Sequence, residues 1–269
     1  MPSTTAEPDD RPEADDGALA ARIAERAGQR LRQIRAAFGT DGDGAADPKA
    51  LGAEGDRLAH ELIAAALQRQ RPQDAVLSEE GVQPGAGGQI DADRGQRRIW
   101  IVDPLDGTRE YSEGRADFAV HVALVDAGVP VVGAVALPGE DEVLTTRKPP
   151  RLAARPPGRL RMLVSRTRPA AEATMVAERL DAELVPMGSA GAKAMAVLRG
   201  VGDIYLHSGG QYEWDSAAPV AVALAAGAHA SRLDGSALVY DRPDPWLPDL
   251  LICRPELADD ILALLRTAL

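Results

Sequence analysis

The stretch Asp103-Pro104-Leu105-Asp106-Gly107-Thr108 sets two carboxylates three residues apart. The β-prone run Ile99-Trp100-Ile101-Val102 delivers Asp103 to a strand end, Pro104 stiffens the exit, and Gly107 lets the backbone approach a ligand closely. Two carboxylates on one rigid turn can share divalent cations. The carbonyl of Leu105 can face the same site as a neutral oxygen, a ligand type that Mg²⁺ accepts. Gly107 and Thr108 open a short helical stretch through Tyr111, and free amides at a helix start suit phosphate oxygens. The segment suggests metal plus phosphate. Its plain alternative is a strand, a turn and a capped helix.

Two other acidic segments stand apart from it. Ala75-Val76-Leu77 is a short β-prone run that ends in Ser78-Glu79-Glu80, where strand alternation puts Glu79 and Glu80 on opposite faces. Glu213-Trp214-Asp215-Ser216-Ala217-Ala218 places an aspartate at the start of an apolar helix, a position that also suits an N-cap.

The elements that must position these residues follow from periodicity. Leu19, Ile23, Ala27, Leu31, Ile34 and Phe38 share one helical face, so a helix is expected from Gly17 to Phe38, and a second through Leu58, Leu62 and Ala66 toward Gln70. The Gly-Asp run from Gly39 to Asp47 separates them. Phe118 to Val125 and Val129 to Leu137 flank Asp126-Ala127-Gly128 as a hairpin, and Glu142 to Thr146 adds a further strand. Past the prolines at 149–150 and 156–157, short apolar runs at Met162, Leu184 and Ile204 alternate with helical stretches 171–180, 190–199, 216–226 and 257–265, an α/β pattern. The expected organisation is a disordered acidic tail over 1–16, an α+β metal-binding segment over 17–150, and an α/β substrate segment over 151–269.

Composition narrows the function classes. Hydrophobic residues make up 45% and charged residues 26% of the 269 positions, ordinary globular usage. With 41 acidic against 30 basic residues the net charge is -11, which opposes non-specific binding to nucleic acid polymers or anionic membranes. No apolar run reaches membrane-spanning length. The single cysteine, Cys253, excludes an internal disulfide and fits a reducing cytoplasmic setting, with the thiol expected to be buried in a strand. His60, His121, His207 and His229 lack metal-ligand spacing and read as structural, and Gly85-Ala86-Gly87-Gly88 lacks a P-loop ending and reads as a loop over the site.

Taken together, the three ordered acidic motifs resemble the signature set of the inositol monophosphatase family of Mg²⁺-dependent, lithium-sensitive phosphatases. Gly188-Ser189-Ala190-Gly191-Ala192-Lys193 followed by Glu213-Trp214-Asp215 is similar to the CysQ branch, actinobacterial members included. The resemblance implies a layered αβαβα sandwich of the sugar phosphatase type, with the site between its two halves. It implies a 3'(2'),5'-bisphosphate nucleotidase that removes the 3'-phosphate from 3'-phosphoadenosine 5'-phosphate, in sulfate assimilation. Inositol or fructose bisphosphate phosphatase activity is the alternative within the class, and a catalytically silent binder the alternative outside it. The partner is then a small phosphate ester, with the protein a monomer or homodimer.

The same resemblance implies two or three Mg²⁺ ions. Glu79, Asp103 and the Leu105 carbonyl would hold the first, Asp103, Asp106 and Asp215 the second, and Asp56 would reach a weaker third through water. Five carboxylates carry about -5, a phosphate about -2 and three Mg²⁺ about +6, so the charges nearly cancel. Glu79 is the expected general base, with Thr108, paired with Asp56, orienting the water. Glu79, Asp106, Gly107, Thr108, Arg109, Ser189, Lys193 and Asp215 would surround the substrate, Lys193 facing its second phosphate. Arg166 is a further cation near that position. Asp56 departs from the family's usual Thr/Ser-x-x-Asp pattern, since Ala53 stands where the hydroxyl is expected.

Overall fold

The computed structural model describes residues 15–38, 47–85, 97–155 and 157–267. Most of the expected acidic tail, part of the Gly-Asp run, Ala86 to Gly88 and Pro156 lie outside these residues. The helix α1 (Asp16–Ala37) buries the predicted face, and Asp15 caps it by accepting from the amides of Gly17 and Ala18. Asp15 and Asp16 thus belong to a helix terminus rather than to the tail, because carboxylates there answer free amides and the helix dipole. Asp47 caps α2 (Pro48–Gln70), with Pro48 in the first turn.

Two sheets follow. The first joins β1 (Ala75–Ser78), β2 (Gly81–Gln83), β3 (Arg98–Asp106), β4 (Ala119–Asp126), β5 (Val129–Leu137) and β6 (Glu142–Thr145) in the order β2-β1-β3-β4-β5-β6, antiparallel except for β1 with β3. A short helix, α3 (Thr108–Ser112), interrupts the sequence after β3. The second sheet joins β7 (Arg161–Ser165), β8 (Glu183–Met187), β9 (Ile204–Tyr212), β10 (His229–Ser231) and β11 (Trp246–Cys253) in the order β10-β11-β9-β7-β8. Its helices are α4 (Ala171–Arg179), α5 (Ala190–Leu198), α6 (Glu213–Ala225) and α7 (Ala258–Arg266), the last preceded by a 3-10 turn.

Amphipathicity decides the stacking. One-sided helices α1 and α2 cover the outer face of the first sheet, and α4 and α7 cover the outer face of the second. Every residue of α5 from Gly191 to Leu198 is buried, and α6 is buried along most of its length, so both must lie between apolar surfaces. They fill the middle, where a cluster including Ile99, Ile101, Val135, Leu198, Ala218, Val222, Tyr205 and Ile252 draws on both sheets. The result is the expected αβαβα sandwich. A division at residue 150 separates the two sheets but not the core, since the helices that cover the first sheet's inner face come from the second segment.

Three strands were not anticipated as runs: β2, β10 and most of β11 are too short or too mixed in polarity to announce themselves. Cys253 is buried at the end of β11, as expected of a strand thiol. Among the described residues no helix is long and apolar enough to cross a membrane. Replacing Leu198, fully buried in the shared layer, by Ala is expected to cost about 2–5 kcal/mol. Far- and near-UV circular dichroism melts should shift down together in one transition; separate transitions would show that the layers unfold independently.

Candidate active site

Asp103 and Asp106 stand three residues apart, and in a regular strand an odd separation would send their side chains to opposite faces. The β3–β4 ladder slips between them: Asp103 pairs with His121 and Asp106 with Ala119, so Pro104 and Leu105 oppose a single residue. This bulge re-aims the second carboxylate to the side of the first. Gly107 then turns the chain with φ +89, a left-handed conformation that β-carbons disfavour, and opens α3.

Asp215 arrives from the first turn of α6. That helix starts at Glu213, three residues before the expected Ser216, and Asp215 is its third residue rather than its cap. The Asp215 carboxylate reaches back to accept from the Tyr212 amide at 2.6 Å. Glu213 is fully buried and accepts from the amides of Asp241 and Arg242, so this motif residue anchors a loop. One oxygen each of Asp103, Asp106 and Asp215 lies within 4.8 Å of the others.

Such crowding has electrostatic consequences. Burial, then the charges of Asp106, Asp215 and Glu79, push the Asp103 carboxyl well above its usual range, against one hydrogen bond from the Leu105 amide. Burial and then Asp106 raise Asp215 to about 6. Asp106 goes the other way. Burial opposes its charge, yet His121, Ser189 and Lys193 outweigh that and hold it at about 2. The Ser189 hydroxyl and the amides of Ala190 and Gly191, at the start of α5, all donate to Asp106.

A second acidic pair adjoins this cluster. Asp56, on α2, is raised to about 8 by burial and then by the hydrogen bond and charge of Glu79. Its Oδ1 is buried with no hydrogen-bond partner. A buried, unpartnered carboxylate oxygen beside crowded hard oxygen donors suits a hard divalent cation such as Mg²⁺. Glu79 is exposed and acts on Asp103 as well as Asp56. Thr108, expected beside Asp56, instead donates its hydroxyl hydrogen to the Leu105 carbonyl at 3.1 Å.

Asp106 and Asp215 stand in the wall of a cavity of about 600 Å³. Ser189 and Lys193 also line it, but their polar atoms are engaged. Ser189 bonds Asp106 and caps α5 by accepting from the Ala192 amide. Lys193 is buried under the Tyr205 ring and donates to the carbonyls of Met187, Gly188 and Ser189, because a desolvated ammonium needs partners. Arg166 is paired with Glu110 and Glu113. Arg109 and Arg168 line the cavity exposed, and no carboxylate pairs with them among the described residues.

Sequence reasoning missed several residues here. His121 was read as structural, yet its ring lies against Asp106. Arg168, Gln211 and Tyr212 carried no signal beyond their nearness to named motifs.

The family pattern described as "Inositol monophosphatase family" matches residues 15–268. This chain belongs to that family. Over 251 residues it is 49% identical to a protein of Mycobacterium tuberculosis named 3'-phosphoadenosine 5'-phosphate phosphatase, covering 90% of each chain. It is 32% identical to the 3'(2'),5'-bisphosphate nucleotidase CysQ of Escherichia coli over 205 residues, 71% of this chain and 80% of the other. The crystal structure of CysQ from Bacteroides thetaiotaomicron superposes with a TM-score of 0.73 at 26% identity, covering 89% of this chain and 97% of that one.

Raised carboxyls mean that the folded, metal-free protein binds more protons than the unfolded chain, so it loses stability as pH rises through about 6 to 8. Saturating Mg²⁺ should restore it, by about 2.7 kcal/mol at a hundred times Kd, or roughly 5–10 °C in Tm. Melts in EDTA and in Mg²⁺ at pH 5.5 and 8.5 check this: the gain should be larger at the higher pH, and an equal gain at both would contradict the assignment.

Proposed function

We propose that this chain is a Mg²⁺-dependent phosphomonoesterase that hydrolyses 3'-phosphoadenosine 5'-phosphate to AMP and phosphate, in sulfate assimilation. The observation that carries the reading is the meeting of Asp103, Asp106 and Asp215 beside a cavity that also presents the unpaired Arg109 and Arg168. The acidic cluster then receives a phosphate ester, and the two arginines offer charge to a second anionic group. The mycobacterial relatives bear the name of this activity.

Glu79, Asp103 and the Leu105 carbonyl would hold one Mg²⁺; Asp103, Asp106 and Asp215 would hold another, with Asp56 available to a third. Bound there, the cations supply Lewis acidity that favours water ionisation and steadies the leaving oxygen. Glu79 takes the proton of the attacking water. The Thr108 hydroxyl, its hydrogen committed to Leu105, accepts from that water and orients it. The amides of Gly107 and Thr108 hold phosphate oxygens. Lys193 shapes the 187–189 loop and contributes charge from beneath.

The nucleotide is preferred to a sugar phosphate because the cavity offers a planar surface. Tyr212 is 46% exposed in its wall and stacks on Trp214 with centroids 4.7 Å apart. An exposed aromatic face in the cavity wall suits a nucleobase.

Initial rates of phosphate release from 3'-phosphoadenosine 5'-phosphate, inositol 1-phosphate and fructose 1,6-bisphosphate test the proposal. The nucleotide should be fastest, activity should vanish in EDTA and fall with Li⁺, and a nucleotide rate far below the others would defeat it. Asp215→Asn should lower kcat by about a hundredfold or more, the scale of losing one preorganised charged group. Tyr212→Ala should cost the nucleotide about 1–3 kcal/mol in kcat/KM while leaving inositol phosphate hydrolysis unchanged; equal losses on both would contradict base stacking.

A further inference from the structure

The His121 ring is wholly buried, with one edge on the Asp106 carboxylate and the other on the backbone just before Asp215. Its Nδ1 lies 3.0 Å from the Trp214 carbonyl, which can only accept, so Nδ1 carries a hydrogen. Its Nε2 lies 3.3 Å from Oδ2 of Asp106, an acceptor as well, so the contact is an ion pair of an imidazolium with hydrogen on both nitrogens. Trp214 precedes Asp215, whose carboxylate is tied in turn to the Tyr212 amide. The imidazole, carried on β4, therefore spans from a carboxylate at the end of β3 to the first turn of α6. A β-carbon at Gly191 would fall 2.0 Å from His121 Nε2, so the α5 start comes up against the ring edge where its own amide also holds Asp106.

We propose that His121 is a positioning residue that sets the spacing between Asp106 and Asp215 for cation binding. An apolar ring would fill the volume but would bridge nothing. Four elements, β3, β4, α5 and α6, meet at this one side chain, and the two aspartates have no direct tie of their own. Partners behind metal ligands act through ligand orientation, and their loss weakens metal binding more than folding.

The inference rests on reading the acidic cluster as a cation site. Calorimetric titration of the wild-type protein with Mg²⁺ in the absence of substrate tests that reading alone; no binding there overturns both. His121→Phe keeps the ring volume and removes both contacts, and His121→Asn keeps a donor near Trp214 without reaching Asp106. The expected result is Mg²⁺ affinity about 10–100-fold weaker for His121→Phe, less so for His121→Asn, with Tm in EDTA little changed. In assays the Mg²⁺ half-saturation should rise while kcat at saturating Mg²⁺ is largely recovered. A variant that melts cooperatively in EDTA and binds Mg²⁺ within about twofold of wild type overturns the proposal. So does an affinity that falls only in step with the EDTA melting temperature. If His121→Phe fails to fold, the same criteria applied to His121→Asn decide the matter.

Discussion

Like charges forced together inside a folded chain govern this structure. Asp103, Asp106 and Asp215 are brought within a few ångströms while largely out of water, an arrangement that burial and mutual repulsion both oppose. The protein answers the cost unevenly. Asp106 is given a hydroxyl, two helix-start amides and a histidine, enough to keep it charged. Asp103 receives one amide and Asp215 another, and both remain displaced toward the protonated form. On the proposed function, this remaining imbalance is what a bound cation would relieve.

Building such a cluster requires rigid elements that approach from several directions, and the layered architecture supplies them. The first sheet ends β3 at the site, while α5 and α6, too apolar to lie on a surface, are driven between the sheets and start beside it. Their positions are therefore set by the same hydrophobic burial that holds the fold together. The outer helix α2 adds Asp56 from the far side of the first sheet's edge region, next to Glu79. The geometry of the acidic cluster and the packing of the core are coupled through these elements.

The cavity beside the cluster divides its cations by role. Lys193 and Arg166 are consumed by the protein, one by backbone carbonyls and the other by Glu110 and Glu113. Arg109 and Arg168 keep their charge open to the cavity. An acidic chain can in this way present positive charge to its cavity, because local arrangement rather than net charge determines the field there.

Much of this was legible in the residue order. Asp103 and Asp106 at the end of an apolar strand, Glu79 after another, and Asp215 at the head of an apolar helix are local patterns, and periodicity alone located α1, α2 and the β4–β5 hairpin. An apolar helix after Asp215 was expected, though not its place between the two sheets. The bulge that turns Asp106 to the side of Asp103 was not legible, because register depends on the partner strand. Nor was the bond from Ser189 to Asp106 or the place of His121, since each depends on what lies across a gap of many residues, nor the local bonds from Thr108 to Leu105 and from Lys193 to the 187–189 carbonyls, which depend on how the backbone turns there. Local sequence thus determined which groups would be present and on which elements, through propensity and burial. Only the tertiary structure decided which of them share a space, because distance and desolvation between remote side chains exist only once the layers have packed.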